Sequence, residues 1–131
     1  MRHPLKPSLK LKEVSYVMSD AYPAGELKHG TLALIDPDVL SVFTLTQMNT
    51  KEKTLSNVQE VQARAGKVLI ISSDAALSNA YDEVLLIPKV DDALMPFISV
   101  IAHQLFAYYS ANIRDCDIDC PRNLAKSVTV E

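Results

Sequence analysis

KVLIIS, residues Lys67 to Ser72, is an unbroken apolar run without alternation, the pattern of a strand covered on both faces. EVLLI, Glu83 to Ile87, repeats it. Strands of this kind belong to parallel sheets, because parallel neighbours are joined by crossover connections whose helices cover the two faces. Upstream, SVFTLT, Ser41 to Thr46, is rich in β-branched and aromatic residues and predicts a third strand. Between SVFTLT and KVLIIS, Thr50 is positioned to cap a helix with the apolar stripe Leu55, Val58 and Val61, which ends at Gly66, where a left-handed residue is easily accommodated. Downstream, Asp91 to Ile113 carries Leu94, Phe97, Ile98, Ile101, Leu105, Tyr108 and Tyr109 at helical spacing, with Asp91 and Asp92 complementing its positive amino end. The fold class is α/β: a doubly wound, mostly parallel sheet flanked by helices.

Outside this block the pattern loosens. Leu9, Leu11, Val14, Val17 and Met18 predict a helix over Leu9 to Met18. Pro23 and Gly25 break it, and the loop AYPAGELKHGT runs to Thr31 with a short helical turn around Gly25 to His29. A loop this long is often functional. Leu32 to Ile35 is a short apolar run stopped by Asp36 and Pro37, and DCDIDCPRNLAKSVTVE at the carboxyl end has no periodic stripe, though it accommodates a turn of helix through Arg122 to Lys126. His3, Pro4 and Pro7 follow Met1 closely, as if an element had been entered partway. The expected organisation is a single truncated domain, residues 1–131, with a broken prelude over 1–8, a missing first strand and a tail over 115–131.

Composition excludes several classes. A chain of 131 residues supports one compact domain with a real core. Thirteen Lys plus Arg against sixteen Asp plus Glu, net charge −3, leave no basic stripe for nucleic acid. No apolar run approaches the roughly 20 residues that cross a bilayer, and Met1 to Lys10 is too polar for a secretion signal, so a cytoplasmic protein with no membrane partner is expected. Cys116 and Cys120 lack the neighbouring ligands of a zinc site and read as reduced bystanders; the three scattered histidines make no metal site. No phosphate-cradling glycine loop and no G-x-S-x-G nucleophile elbow is present.

LKLKEVSYV, AYPAGELKHGTLALID and PRNLAKSVTVE, in that order and at these separations, resemble the carboxyl-terminal sugar-isomerase (SIS) domain of glutamine–fructose-6-phosphate aminotransferases. The resemblance covers about Leu9 to Glu131. It implies a flavodoxin-like SIS topology and an enzyme in which a glutaminase domain releases ammonia, while two SIS subdomains convert fructose 6-phosphate and that ammonia to glucosamine 6-phosphate, with no cofactor. This chain resembles the second subdomain alone; the glutaminase domain and the first subdomain, with its Ser/Thr-rich phosphate loop, are the implied partners, together with a second copy in a homodimer. By resemblance, Glu13 is the carboxylate that moves a proton between the first two sugar carbons, His29 the imidazole that opens the ring, presented to the neighbouring subunit's site, and Lys126 the lysine that forms a Schiff base with the open ketose. Lys10 lies close to the reacting carbons, and Lys10 and Ala125 contact substrate. The family usually reads LEGALKLKE where this chain has LKPSLKLKE, so Lys6 replaces a Glu and Pro7 a Gly in the first helical turn.

The residue chemistry fits these roles without requiring them. A shielded carboxylate can shuttle a proton beside a carbonyl, yet Glu13 can equally be a surface helical residue paired with Lys10. Lys126 attacks a carbonyl only as a neutral amine, which needs desolvation or a nearby cation such as Arg122; most lysines are solvated surface charges. His29, between Gly25 and Gly30, can pass protons near neutral pH or simply occupy a loop. His103 lies within the apolar helix and reads as a core or interface residue. Phe97, Phe106, Tyr108 and Tyr109 make that helix apolar on more than one side, suited to a second copy, a missing subdomain or the chain's own core. A non-catalytic SIS module that binds a phosphosugar or a protein for regulation or assembly is the competing reading. Under either, the phosphate would have to be gripped from outside this chain.

Overall fold

The structure is a computed structural model and describes residues 5–122 and Leu124. It contains two compact units, one spanning Tyr22–Ala102 and the other combining the residues up to Ala21 with those from His103 onward.

In the first unit, β1 (Leu40–Leu45), β2 (Lys67–Ser72) and β3 (Val84–Leu86) form a parallel sheet in the order β1-β2-β3. Phe43 pairs with Ile70, and Ile70 with Val84. β3 is shorter than the apolar run that predicts it, but the ladder continues past both its ends: Ile70 donates to the Glu83 carbonyl at 3.0 Å and Ile87 to that of Ser72 at 2.9 Å. Helix α2 (Lys51–Gln62) covers one face, where Val58 and Val61 pack with Phe43, Leu45, Ile70 and Leu27. On the other face Ile71 and Val42 meet Met95, Ile98 and Ala102 at the start of α3 (Met95–Ile113). Successive side chains of β2 thus enter different cores, which is why KVLIIS has no polar face. Ile70 and Ile71 are fully buried, each stabilising by roughly 1.5–3 kcal/mol.

Three local expectations are corrected. Thr50 precedes α2 but does not cap it; its backbone is already helical (φ −109°, ψ −1°), continuing the 3-10 turn Met48–Thr50, and its hydroxyl donates instead to the Gln47 carbonyl at 3.3 Å. The left-handed residue after α2 is Ala65 (φ 60°), not Gly66. Ala65 and Gly66 donate to the carbonyls of Gln62 and Val61, the paired bonds of a Schellman closure. Gly66 is needed for space, since a Cβ there would lie 2.5 Å from Ile35 Cγ2 and 2.8 Å from Val61 Cγ1. Finally, α3 starts at Met95 rather than Asp91. Asp91 closes a preceding turn, its carboxylate accepting from Ala93 N–H at 2.9 Å and its carbonyl from Leu94 and Met95.

In the second unit, α1 spans Leu5–Ser15, earlier at both ends than Leu9 to Met18. Pro7 is tolerated because it sits in the first turn, where backbone N–H groups have no helical partner. The helix stops because Tyr16 turns left-handed (φ 57°), and the chain runs back along it: Ser8 Oγ donates to the Ser19 carbonyl at 2.7 Å, and Lys12 Nζ meets Asp20 at 3.3 Å. The last turn of α3 closes likewise on Asp115 (φ 51°). Among the described residues no helix is long and apolar enough to cross a membrane.

Candidate functional site

Helix α1 carries the first candidate group. Lys10 and Glu13, three residues apart, share one face of the helix, and Lys10 Nζ lies 2.9 Å from Glu13 Oε2. The pair is asymmetric: the glutamate side chain is 22% exposed and the lysine 54%. Glu13 is therefore a half-buried carboxylate with a cation fixed beside it, and the surface-type pairing weighed from the sequence is present too.

His29 ends the 3-10 turn Ala24–His29, close to the turn expected around Gly25 to His29. Buried Leu27 anchors this turn in the core, Lys28 Nζ ties it to Glu60 of α2 at 2.7 Å, and Gly30 (φ 139°) lets the chain leave sharply. The imidazole itself is 74% exposed, with Glu26 at 4.0 Å. Lys126 and Ala125 lie outside the described residues, as does most of the helical turn expected through Arg122 to Lys126.

At the carboxyl ends of the strands, where open α/β sheets commonly bind ligands, a cavity of about 40 Å³ is lined by Thr46, Gln47, Lys51, Ser72, Asp74 and Lys89, among others. Two of its charges are matched to each other. Lys51 forms a close ion pair with Asp74, and that hydrogen bond, with a further one from the Ala76 N–H and the charge of Lys89, holds the Asp74 carboxyl below the usual carboxylate range. Ser72 Oγ donates to the Leu45 carbonyl at 2.8 Å and accepts from Asp74 N–H at 3.2 Å, fixing the ends of β1 and β2.

A cluster that the sequence did not signal surrounds the end of α1. Arg114 Nε donates to the Ser15 carbonyl at 3.1 Å, the Arg122 N–H donates to Tyr16 Oη at 2.8 Å, and the Arg122 guanidinium lies 4.1 Å above the Tyr16 ring centre. The Arg114 cation thus meets the negative end of the helix, and that of Arg122 stacks on an aromatic face beside it. An open cleft of about 640 Å³ adjoins them, lined by Tyr16, Arg114, Asp115, Cys116, Asp117, Cys120 and Arg122. Both cysteines are free, Cys116 half-buried and Cys120 exposed. Among the described residues no group of three or more His, Cys, Asp or Glu could hold a metal ion.

A parallel sheet wound on both faces, followed by a long helix, matches a known class: the SIS-domain family model covers residues 5–114, and the chain belongs to that family. More particularly, it is 50% identical over 129 residues to the glutamine–fructose-6-phosphate aminotransferase [isomerizing] of Caldanaerobacter subterraneus and 46% identical to that of Chlorobaculum tepidum, in each case over 97% of this chain. It spans about a fifth of the length of these relatives, 21%. The solved C-terminal domain of glucosamine-fructose-6-phosphate aminotransferase from Francisella tularensis superimposes with a TM-score of 0.80 at 39% identity, over 88% of this chain and 33% of that one. The chain thus corresponds to a C-terminal fragment of such enzymes.

Proposed function

We propose that this chain is the second SIS subdomain of a glucosamine-6-phosphate synthase, the part of the isomerising centre that carries the proton-moving carboxylate and the Schiff-base lysine. The observation that carries the reading is the agreement at 46–50% identity along 97% of the chain. In the assembled enzyme, Lys126 adds to the C2 carbonyl of open-chain fructose 6-phosphate with loss of water, and ammonia from the glutaminase domain displaces the lysine from that C2 imine. Glu13 then takes a proton from C1 of the resulting fructose imine and returns it to C2, leaving an amine at C2 and an aldehyde at C1. Lys10, beside Glu13, stabilises negative charge developing near the reacting carbons. His29, exposed on its anchored turn, is suited to reach a neighbouring subunit's sugar and open its ring, and Ala125 contacts the substrate beside Lys126.

The cavity at the strand ends supports a phosphate site outside this chain: it is far smaller than a hexose phosphate, and Lys51 in its lining is already paired with Asp74. Helix α3 supports association with a second copy or the first subdomain, because Phe97 is 68% and Ile101 52% exposed along one apolar stripe. The purified chain should therefore produce no glucosamine 6-phosphate from fructose 6-phosphate and ammonia, and show no calorimetric binding of the sugar. Unaided production would contradict the half-site reading. Unaided binding without turnover would favour a regulatory SIS module instead.

A further inference from the structure

We propose that Tyr16 is a docking post for the chain that leads into the carboxyl-terminal residues, setting where the segment bearing Lys126 departs relative to α1. Tyr16 is an aromatic residue held left-handed (φ 57°), a conformation that costs a residue with a Cβ about 1–2 kcal/mol and usually falls to glycine. Its side chain supplies the compensation. The phenolic oxygen accepts the Arg122 N–H at 2.8 Å while the ring face receives that residue's guanidinium at 4.1 Å, so one side chain grips one residue twice across 106 positions of sequence. Two more contacts hold the approach: Arg114 Nε on the Ser15 carbonyl at 3.1 Å, and Asp117 Oδ1 accepting from Cys120 N–H at 2.9 Å, which turns the chain just before Pro121. A glycine at position 16 would make the same reversal with less strain but could hold nothing.

The position of this grip has a consequence for chemistry, which rests on the function proposed above. Tyr16 lies three residues beyond Glu13, about 5 Å along the helix axis. Lys126 lies four residues beyond Arg122, a reach of at most about 14 Å. Anchoring Arg122 on Tyr16 therefore starts the segment that bears Lys126 beside the end of the helix that carries the carboxylate, which shortens the span over which amine and carboxylate must be brought together. Tyr16 is a positioning residue and touches no reacting atom.

The test compares the full chain with Tyr16→Phe, Tyr16→Gly and Arg122→Ala. Tyr16→Gly relieves the backbone, so α1 should remain folded while the grip is lost. Amide exchange at Arg122 and tryptic cleavage after Arg122 report docking, exchange within α1 reports folding, and zero-length carbodiimide coupling of Glu13 to Lys126, mapped by mass spectrometry, reports delivery. Tyr16→Gly should raise exchange at Arg122 and cleavage about tenfold, with α1 protection unchanged. Tyr16→Phe, which keeps the ring, should retain much of the resistance to cleavage. Unchanged cleavage and exchange in Tyr16→Gly would overturn the docking role. Docking lost as expected, but with no Glu13–Lys126 amide in the unmodified chain, would uphold the post and remove the catalytic reading instead.

Discussion

Exchanging the roles of two adjacent residues after α2 should shift stability in opposite directions. Ala65 is left-handed, and relief of its Cβ contact by Ala65→Gly is worth about 1–2 kcal/mol, against roughly 0.4–1 kcal/mol lost to the greater freedom of glycine in the unfolded chain. The net expectation is a gain of about 0.5–1 kcal/mol. Gly66→Ala gains that same unfolded-state term but inserts a methyl 2.5 Å from Ile35 Cγ2 and 2.8 Å from Val61 Cγ1. Val61 is fully buried and Ile35 packs against the same core, so neither can yield cheaply; overpacking costs typically about 1–3 kcal/mol, leaving a net loss of about 1–2 kcal/mol. Urea denaturation followed by far-ultraviolet circular dichroism measures both, as midpoint shifts at constant slope. A stabilising Gly66→Ala or a destabilising Ala65→Gly would refute the assignment of backbone strain to Ala65 and close packing to Gly66.

Other consequences concern polar and charged groups. Burial lowers the pKa of His103, so its unfolded form binds the proton more readily; its contribution to stability is complete above about pH 6.5 and falls as the pH drops toward the folded value, and a His103→Gln variant should lose that slope in denaturation midpoints between pH 5 and 7. The Asp74 carboxyl, held low by Lys51, contributes above its unfolded pKa near 3.8 and loses that contribution as the pH falls through the folded value, so Lys51→Met should flatten the acid limb of the same profile. Ser72→Ala removes the donor to the Leu45 carbonyl and the acceptor for Asp74 N–H at a buried site, and should cost about 1–3 kcal/mol in the same denaturation assay.

The sheet was legible because its signal is local and redundant: SVFTLT, KVLIIS and EVLLI each mark a strand, and the stripe Leu55, Val58 and Val61 leaves one face for α2 to bury. The ends of the helices were not legible. With three glycines in the chain, reversals fall on Tyr16, Ala65 and Asp115, of which only the aspartate is a residue that turns favour, and the left-handed geometry at Tyr16 and Ala65 carries no local signal. This is why α1 stops three residues before the apolar pattern does. Of the candidate site, the Lys10–Glu13 pairing follows from helical spacing alone. The grip of Tyr16 on Arg122 joins residues 106 apart, and no periodicity encodes such a contact.

The proposed chemistry is tested most directly by borohydride trapping. Residues 5–131 would replace the matching segment of the Caldanaerobacter subterraneus relative, and the hybrid would be reduced in the presence of fructose 6-phosphate without glutamine. The account predicts a single hexitol-phosphate adduct, on Lys126 and absent from Lys126→Arg. An adduct on any other lysine, or full glucosamine 6-phosphate synthesis by the Lys126→Arg hybrid, would contradict it.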